Sequence, residues 1–211
     1  APDTTNADIS NLHCCSPTRP VCSTIIKGNS RQVNENAKLT PFEAVSIVEG
    51  VNNDVVAVFP RAMLDVLNES GFSGLEVSEA LPRAGRTPPA FDVSISVGLA
   101  GELKGFMFLQ AERDAAVGFA SEIGRLMDVS VADEEAMGPL HRAALAELTN
   151  QVSGRATIYL SEMGYDTDIT PPTVLTGTGV SLAVPDGLAM HDARLSGPAG
   201  SLHLVVGLVA G

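Results

Sequence analysis

The strongest constraint on the fold of this chain is the alternation of residue types between positions 91 and 99. From Phe91 to Leu99, apolar residues stand at every odd position, with polar or small residues between them. This period of two is typical of a strand with one buried face. Ala100-Gly101-Glu102 then predicts a tight turn into a second strand, Leu103–Gln110. The sequence therefore predicts a β-hairpin that packs one face on a core.

Helical and strand-like patterns alternate along the rest of the chain. Helices are predicted over about 54–69, with a kink or break at Pro60, over about 114–127, and from about Asp133 towards Met163, with an interruption near Gly154. The further predicted strands are 75–81, 173–176, 188–195 and 202–209. This order predicts an α+β fold with helices packed on an antiparallel sheet and two pseudo-symmetric halves.

The charge and the length of the apolar runs argue against two classes of partner. The formal net charge is −12, and no basic run offsets it. Affinity for nucleic acids comes mainly from Lys and Arg side chains that neutralise phosphates, so we expect no nucleic-acid binding. No apolar run approaches the roughly 20 residues that span a bilayer, so we expect no membrane insertion.

The first 40 residues differ from the remainder. They are rich in Asn, Ser, Thr and Pro without a sustained apolar period, so we expect a flexible extension before a domain at 41–211, whose first helix begins at Thr40-Pro41. Cys14, Cys15 and Cys22 lie in this extension. Their odd number argues against a disulfide framework and favours the cytoplasm, and their spacing does not match a common zinc site.

The third predicted helix carries the residues of chemical interest. At about 100° per residue, one of its faces is apolar and is expected in the core: Leu145, Leu148, Val152 and Ala156. The nearly opposite face presents Ala143, Glu147, Asn150 and Gly154. Glu147 and Asn150 are three residues apart, so they stand side by side between small residues that leave room for another surface. We assign the methionines at 127, 137 and 163 to the core.

Three segments resemble the CheX/CheC phosphatase family. Glu147–Asn150 reads Glu-Leu-Thr-Asn and fits the Glu-x-x-Asn motif of the family. Pro172–Gly177 reads Pro-Thr-Val-Leu-Thr-Gly and fits a downstream family segment at nearly the family spacing, and the hairpin at Gly101–Gly105 also fits. The resemblance covers roughly Phe42–Gly211 and implies a CheC-like fold. The helix predicted over about 54–69 has no such motif, so the chain is more similar to CheX, with one site, than to CheC.

The resemblance implies a phosphatase that hydrolyses the aspartyl-phosphate of a phosphorylated CheY-like receiver. Asn150 would orient the attacking water, and Glu147 would pair with the lysine of the receiver. The partner-binding positions would be Ala143, Gln151, Gly154 and Pro172. The resemblance also implies a homodimer, and no cofactor or metal of its own, because the Mg²⁺ belongs to the active site of the receiver.

Two alternatives remain open from the residues. A non-catalytic module that binds a receiver or a flagellar switch could use the same fold, and Ala143 favours it slightly because the family often has Ser or Asp there. Asn150 favours the phosphatase, since an amide at a water-positioning site has no obvious use in pure binding. An unrelated enzyme that uses the N-terminal cysteines is disfavoured because no base is fixed near them.

Overall fold

The computed structural model describes residues 52–83, 90–128, 137–184 and 188–210. The predicted extension over 1–40, the predicted helix start at Thr40-Pro41 and the three cysteines lie outside these residues.

The eight strands among the described residues form one antiparallel sheet. Its strand order is β1-β7-β8-β4-β3-β5, with β2 also paired to β7 and β6 also paired to β3. The strands are β1 Glu76–Val77, β2 Leu81–Pro82, β3 Phe91–Gly101, β4 Leu103–Ala111, β5 Thr167–Ile169, β6 Thr173–Val180, β7 Ala189–Gly197 and β8 Gly200–Ala210. The predicted α+β class with an antiparallel sheet is therefore confirmed.

Two hairpins supply the four long strands of the sheet. In the hairpin of β3 and β4, Gly101 has a φ of +112°, a conformation that glycine adopts without steric cost. Val93, Ile95 and Val97 of β3 are buried against the helices as predicted, although Ser94 between them is fully buried as well. The second hairpin joins β7 to β8, and β8 pairs with β4, so the hairpins meet at the centre of the sheet.

Three helices pack on one face of the sheet: α1 Asn53–Glu69, α2 Arg113–Leu126 and α3 Pro139–Glu162. The Asn52 side chain caps α1 by accepting a hydrogen bond from the backbone N–H of Asp54. Of the kink or break predicted at Pro60, the break is wrong, because α1 continues through this residue. Phe59, Pro60 and Met63 are all buried, and their packing offsets the hydrogen bond that proline cannot donate.

The start of α3 also differs from the prediction. The helix begins at Pro139, because Met137 has a φ of +64° and Gly138 is extended at the N-cap position. The predicted start near Asp133 lies outside the described residues. Proline suits the first helical turn, where its missing N–H would have no partner inside the helix. The interruption predicted near Gly154 is wrong as well, since α3 runs unbroken to Glu162.

The strand predicted over 75–81 is instead two short strands, β1 and β2, which both pair with β7. Between them, the backbone N–H of Ser78 donates to the carbonyl oxygen of Arg194, and the Ser78 hydroxyl accepts from the backbone N–H of Arg194. A side chain thus replaces one backbone partner of the ladder. Strand β5 was not predicted, and β6 extends beyond its predicted end to Val180.

The two faces of the sheet are covered differently. The helix-side face belongs to the main core, which includes Phe59 of α1, Phe119 of α2 and Leu160 of α3. On the other face, Phe108, Met190 and Val205 form a smaller buried apolar cluster. The side chains packed against it include Leu182, Val184 and Leu188. Helix α3 therefore has one side fixed on the sheet and leaves the opposite side away from it.

Candidate active site

The buried side of α3 fixes which residues the helix presents outward. Leu145, Leu148, Val152 and Ala156 are all buried, as the sequence predicts. Thr149 and Ser153 are also buried, and each hydroxyl donates to a backbone carbonyl one turn earlier, at 2.7 Å from Oγ1 of Thr149 and 2.9 Å from Oγ of Ser153. These internal hydrogen bonds let polar residues enter the core side, which makes that side less evident from the sequence.

The residues predicted on the outward side are found there. Ala143, Glu147 and Gln151 are exposed, whereas Asn150 and Gly154 are half-buried. The Nε2 atom of Gln151 donates a 2.8 Å hydrogen bond to Oε1 of Glu147. This contact, which the sequence analysis did not predict, restricts the orientation of an otherwise free carboxylate. The helix thus holds a carboxylate and a carboxamide together on one open surface.

Gly154 leaves space beside this pair. A Cβ atom built at Gly154 would meet no other atom within 4 Å, so packing within the described part of the chain does not require glycine there. Because glycine has no side chain, no group projects from this position of α3 next to Asn150. Pro172 lies apart, half-buried in the loop that precedes β6. Among the described residues, no hydrogen bond in the structure joins Pro172 to the outward side of α3.

Polar contacts with α1 fix the C-terminal half of α3. Arg155 donates two hydrogen bonds, of 2.8 and 2.6 Å, to the two carboxylate oxygens of Glu69. These bonds lower the pKa of the Glu69 carboxyl. One turn later, the Tyr159 hydroxyl donates to Oδ2 of Asp65 at 2.7 Å, and the Arg61 guanidinium lies 4.3 Å from the Tyr159 ring centroid. The helix that carries Glu147 and Asn150 is therefore held in one orientation.

A cavity of about 430 Å³ lies between the end of α2 and the first half of α3. We call it the α2–α3 groove; it is lined by Ser70, Ile123, Gly124, Leu126, Met127, Leu140, Ala143, Ala144, Glu147, Leu148 and Gln151. Met127 was assigned to the core, but 66% of its surface is exposed. Met163 was also wrongly assigned, whereas Met137 is buried as predicted. Met127 follows the last residue of α2, so the helical periodicity no longer predicts whether its side chain faces the core or the solvent.

Among the described residues, no histidine is exposed on the outward side of α3. His141 is buried on α3, and His191 and His203 lie on β7 and β8. Burial lowers the pKa of the His191 and His203 imidazoles. Within the described residues, no group of three or more His, Cys, Asp or Glu side chains could hold a metal ion. What the outward side of α3 offers is a hydrogen-bonding amide and a carboxylate.

Comparison with known proteins finds one family that is similar to the segment carrying this geometry. The model of the family "Chemotaxis phosphatase CheX" matches residues 93–191, from β3 to β7 and including all of α3. The CheY-P phosphatase CheX of Thermotoga maritima is 28% identical over 86 residues, which are 41% of this chain and 52% of that protein. Residues 93–191 of the chain are therefore similar to the CheX family. The chain spans about half the length of this curated relative.

Solved structures support the CheX-family fold. The chemotaxis protein CheX of Desulfovibrio desulfuricans has a TM-score of 0.65 at 20% identity, with 74% of this chain and 99% of that chain covered. CheX in the CheX–CheY–BeF3–Mg complex of Borrelia burgdorferi has a TM-score of 0.61 at 22% identity, with the same coverage. In this chain, no helix among the described residues is long and apolar enough to cross a membrane.

Proposed function

We propose that this chain is a phosphatase that hydrolyses the aspartyl-phosphate of a CheY-like receiver domain. The observation that carries the proposal is the Glu147 and Asn150 pair on the outward side of α3, within the segment that matches the CheX family. The curated relative is named a CheY-P phosphatase, and one structural relative is bound to CheY with BeF3 and Mg. Both names support this substrate class.

The proposed mechanism assigns positioning, rather than proton transfer, to Asn150. Phosphoryl transfer passes through a loose transition state, so catalysis depends mainly on the alignment of the attacking group and on charge stabilisation. The carboxamide has a donor and an acceptor that do not titrate near neutral pH, and both can hydrogen-bond a water molecule. Asn150 would orient this water in line with the phosphorus. Stabilisation of the developing charge would come from the Mg²⁺ of the receiver.

Glu147 has a separate role in the proposal. Its carboxylate would form a charge-assisted hydrogen bond with a lysine of the receiver active site, which fixes the docking register. The Gln151 amide already holds Oε1 of Glu147, so the side chain is partly ordered before the partner arrives. Within the described residues, no salt bridge in the structure engages Glu147. We therefore assign Glu147 to recognition and Asn150 to chemistry.

The neighbours of this pair would contact the receiver. Ala143 and Gly154 lie one turn before Glu147 and one turn after Asn150, and their small size lets another surface approach. Gln151 borders the same surface. Pro172 is a proposed contact from a separate loop. We further propose a homodimer formed by joining sheet edges, and the cytoplasm as the location of the receiver reaction.

The experiment follows phosphate loss from a magnesium-bound, phosphorylated CheY-like receiver with and without the chain. We expect the chain to shorten the lifetime of the acyl phosphate in proportion to its concentration. If the chain binds the receiver but leaves the lifetime unchanged, the function is that of a docking module. Ala143 is the observation that favours this second candidate, because the family often carries a polar residue there.

A further inference from the structure

The α2–α3 groove presents apolar side chains at the protein surface. Met127 and Leu140 stand on its two sides, with 66% and 45% of their surfaces exposed, and Ile123 and Leu126 line the groove between α2 and α3. Contiguous exposed apolar surface favours association, because covering it releases water from contact with apolar groups. The groove therefore needs a physical explanation beyond the packing of the core.

The groove is continuous with the proposed catalytic surface. Glu147 and Gln151 line it, and Asn150 is their neighbour on the same helix. A positioned group acts through hydrogen bonds of about 3 Å, so Asn150 works only if the receiver lies in contact with this side of α3. A partner surface that close to Asn150 and Glu147 also covers the end of the groove that Glu147 forms.

We propose that the α2–α3 groove docks an apolar side chain from the receiver surface next to the phosphorylated aspartate. This inference rests on the proposed function, since it takes the same receiver as the partner. Polar contacts through Glu147 would set the register, and the groove would supply apolar contact area that remains the same before and after phosphate loss. The groove would thus determine affinity and receiver choice, while the rate of the chemical step depends on Asn150.

Two methionines provide a matched test. Met127 is the C-cap residue of α2, and Met163 is the C-cap residue of α3; both have exposed side chains. Each retains its backbone N–H hydrogen bonds when its side chain is changed. The variants are Met127→Gln, which makes the groove more polar, and Met163→Gln, which makes the same change away from it. Steady-state hydrolysis of the phosphorylated receiver gives KM and kcat, and titration with the beryllofluoride-activated receiver gives Kd.

We expect Met127→Gln to raise both KM and Kd by about fivefold or more while kcat stays within about twofold. Met163→Gln should leave KM and Kd within about twofold of wild type. A KM and Kd that Met127→Gln leaves unchanged would overturn the proposal, as would an equal rise in both variants. A change only in the concentration dependence of self-association would assign the groove to a second copy and overturn it too.

The failure of the proposed function gives a different result. In that case the wild-type chain would not shorten the lifetime of the phosphorylated receiver, yet Kd would still be measurable. A fivefold loss of affinity in Met127→Gln alone would then support the groove as a docking site without hydrolysis. If the wild-type chain does not bind the activated receiver at all, both proposals fail.

Discussion

The rotation of α3 about its axis decides whether Glu147 and Asn150 face outward, and Leu145→Ala tests it. Leu145 is 1% exposed within the main core, so its truncation removes buried methyl groups and leaves a cavity. Such changes cost about 2–5 kcal/mol. At about 2–4 °C per kcal/mol for a chain of this size, a cost near 3 kcal/mol lowers Tm by about 6–12 °C.

Ile158→Ala is the matched control on the same helix. Ile158 is 55% exposed, so the same kind of truncation should change the free energy of unfolding by no more than about 0.5 kcal/mol. Urea denaturation of both variants, followed by circular dichroism, measures the two values under one condition. A loss below about 1 kcal/mol for Leu145→Ala with a larger loss for Ile158→Ala would refute the orientation. Glu147, which lies within about 20° of Ile158 around the helix axis, would then point towards the core.

Charge, backbone conformation and pH each allow a further test. Glu147→Gln keeps an oxygen that can accept the hydrogen bond from Gln151 but removes the negative charge. The kcat/KM for the receiver should therefore fall about tenfold or more while Tm is unchanged. An unaffected kcat/KM would contradict the proposed pairing with the receiver lysine. Gly105 has a φ of +154°, and an added Cβ there would collide with the carbonyl oxygen of Gly207. Gly105→Ala should therefore lower the free energy of unfolding by more than about 2 kcal/mol, measured by thermal unfolding. A tolerated alanine would contradict the register of β4 and β8. Burial lowers the pKa of His191 and His203, so the unfolded chain binds protons at a higher pH than the folded one. The urea concentration at the unfolding midpoint should therefore decrease as the pH is lowered from about 7.5 to about 5.5. A double His→Gln variant should lose that dependence. An unchanged wild-type midpoint would argue against this linkage.

Long elements with a clear period were predictable from the sequence. The alternation that begins at Phe91 gave the correct hairpin, and the apolar spacing at Leu145 and Leu148 gave the correct buried side of α3. Both patterns repeat over several turns or residue pairs, so a single exception does not hide them. The outward position of Glu147 followed directly from that spacing.

The missed features depend on contacts between distant parts of the chain. Pro60 predicted a break, but burial of its neighbours in the core keeps α1 continuous. The Ser78 side chain takes a place in the pairing with β7, which no local pattern indicates. Met127 was assigned to the core by its residue type, yet its position after the end of α2 exposes it beside the groove. Tertiary context determines each of these outcomes.

The central claim is that Asn150 positions the water that attacks the phosphorylated aspartate. The most direct measurement is the rate of phosphate loss from the receiver under saturating chain, compared between wild type, Asn150→Ala and the control Asn68→Ala, which removes an exposed amide of α1. We expect Asn150→Ala to lower this rate by about 10²-fold or more while the affinity for the activated receiver stays within about threefold. Asn68→Ala should match wild type. If the Asn150→Ala chain hydrolyses the saturated receiver as fast as wild type, Asn150 does not position the attacking water.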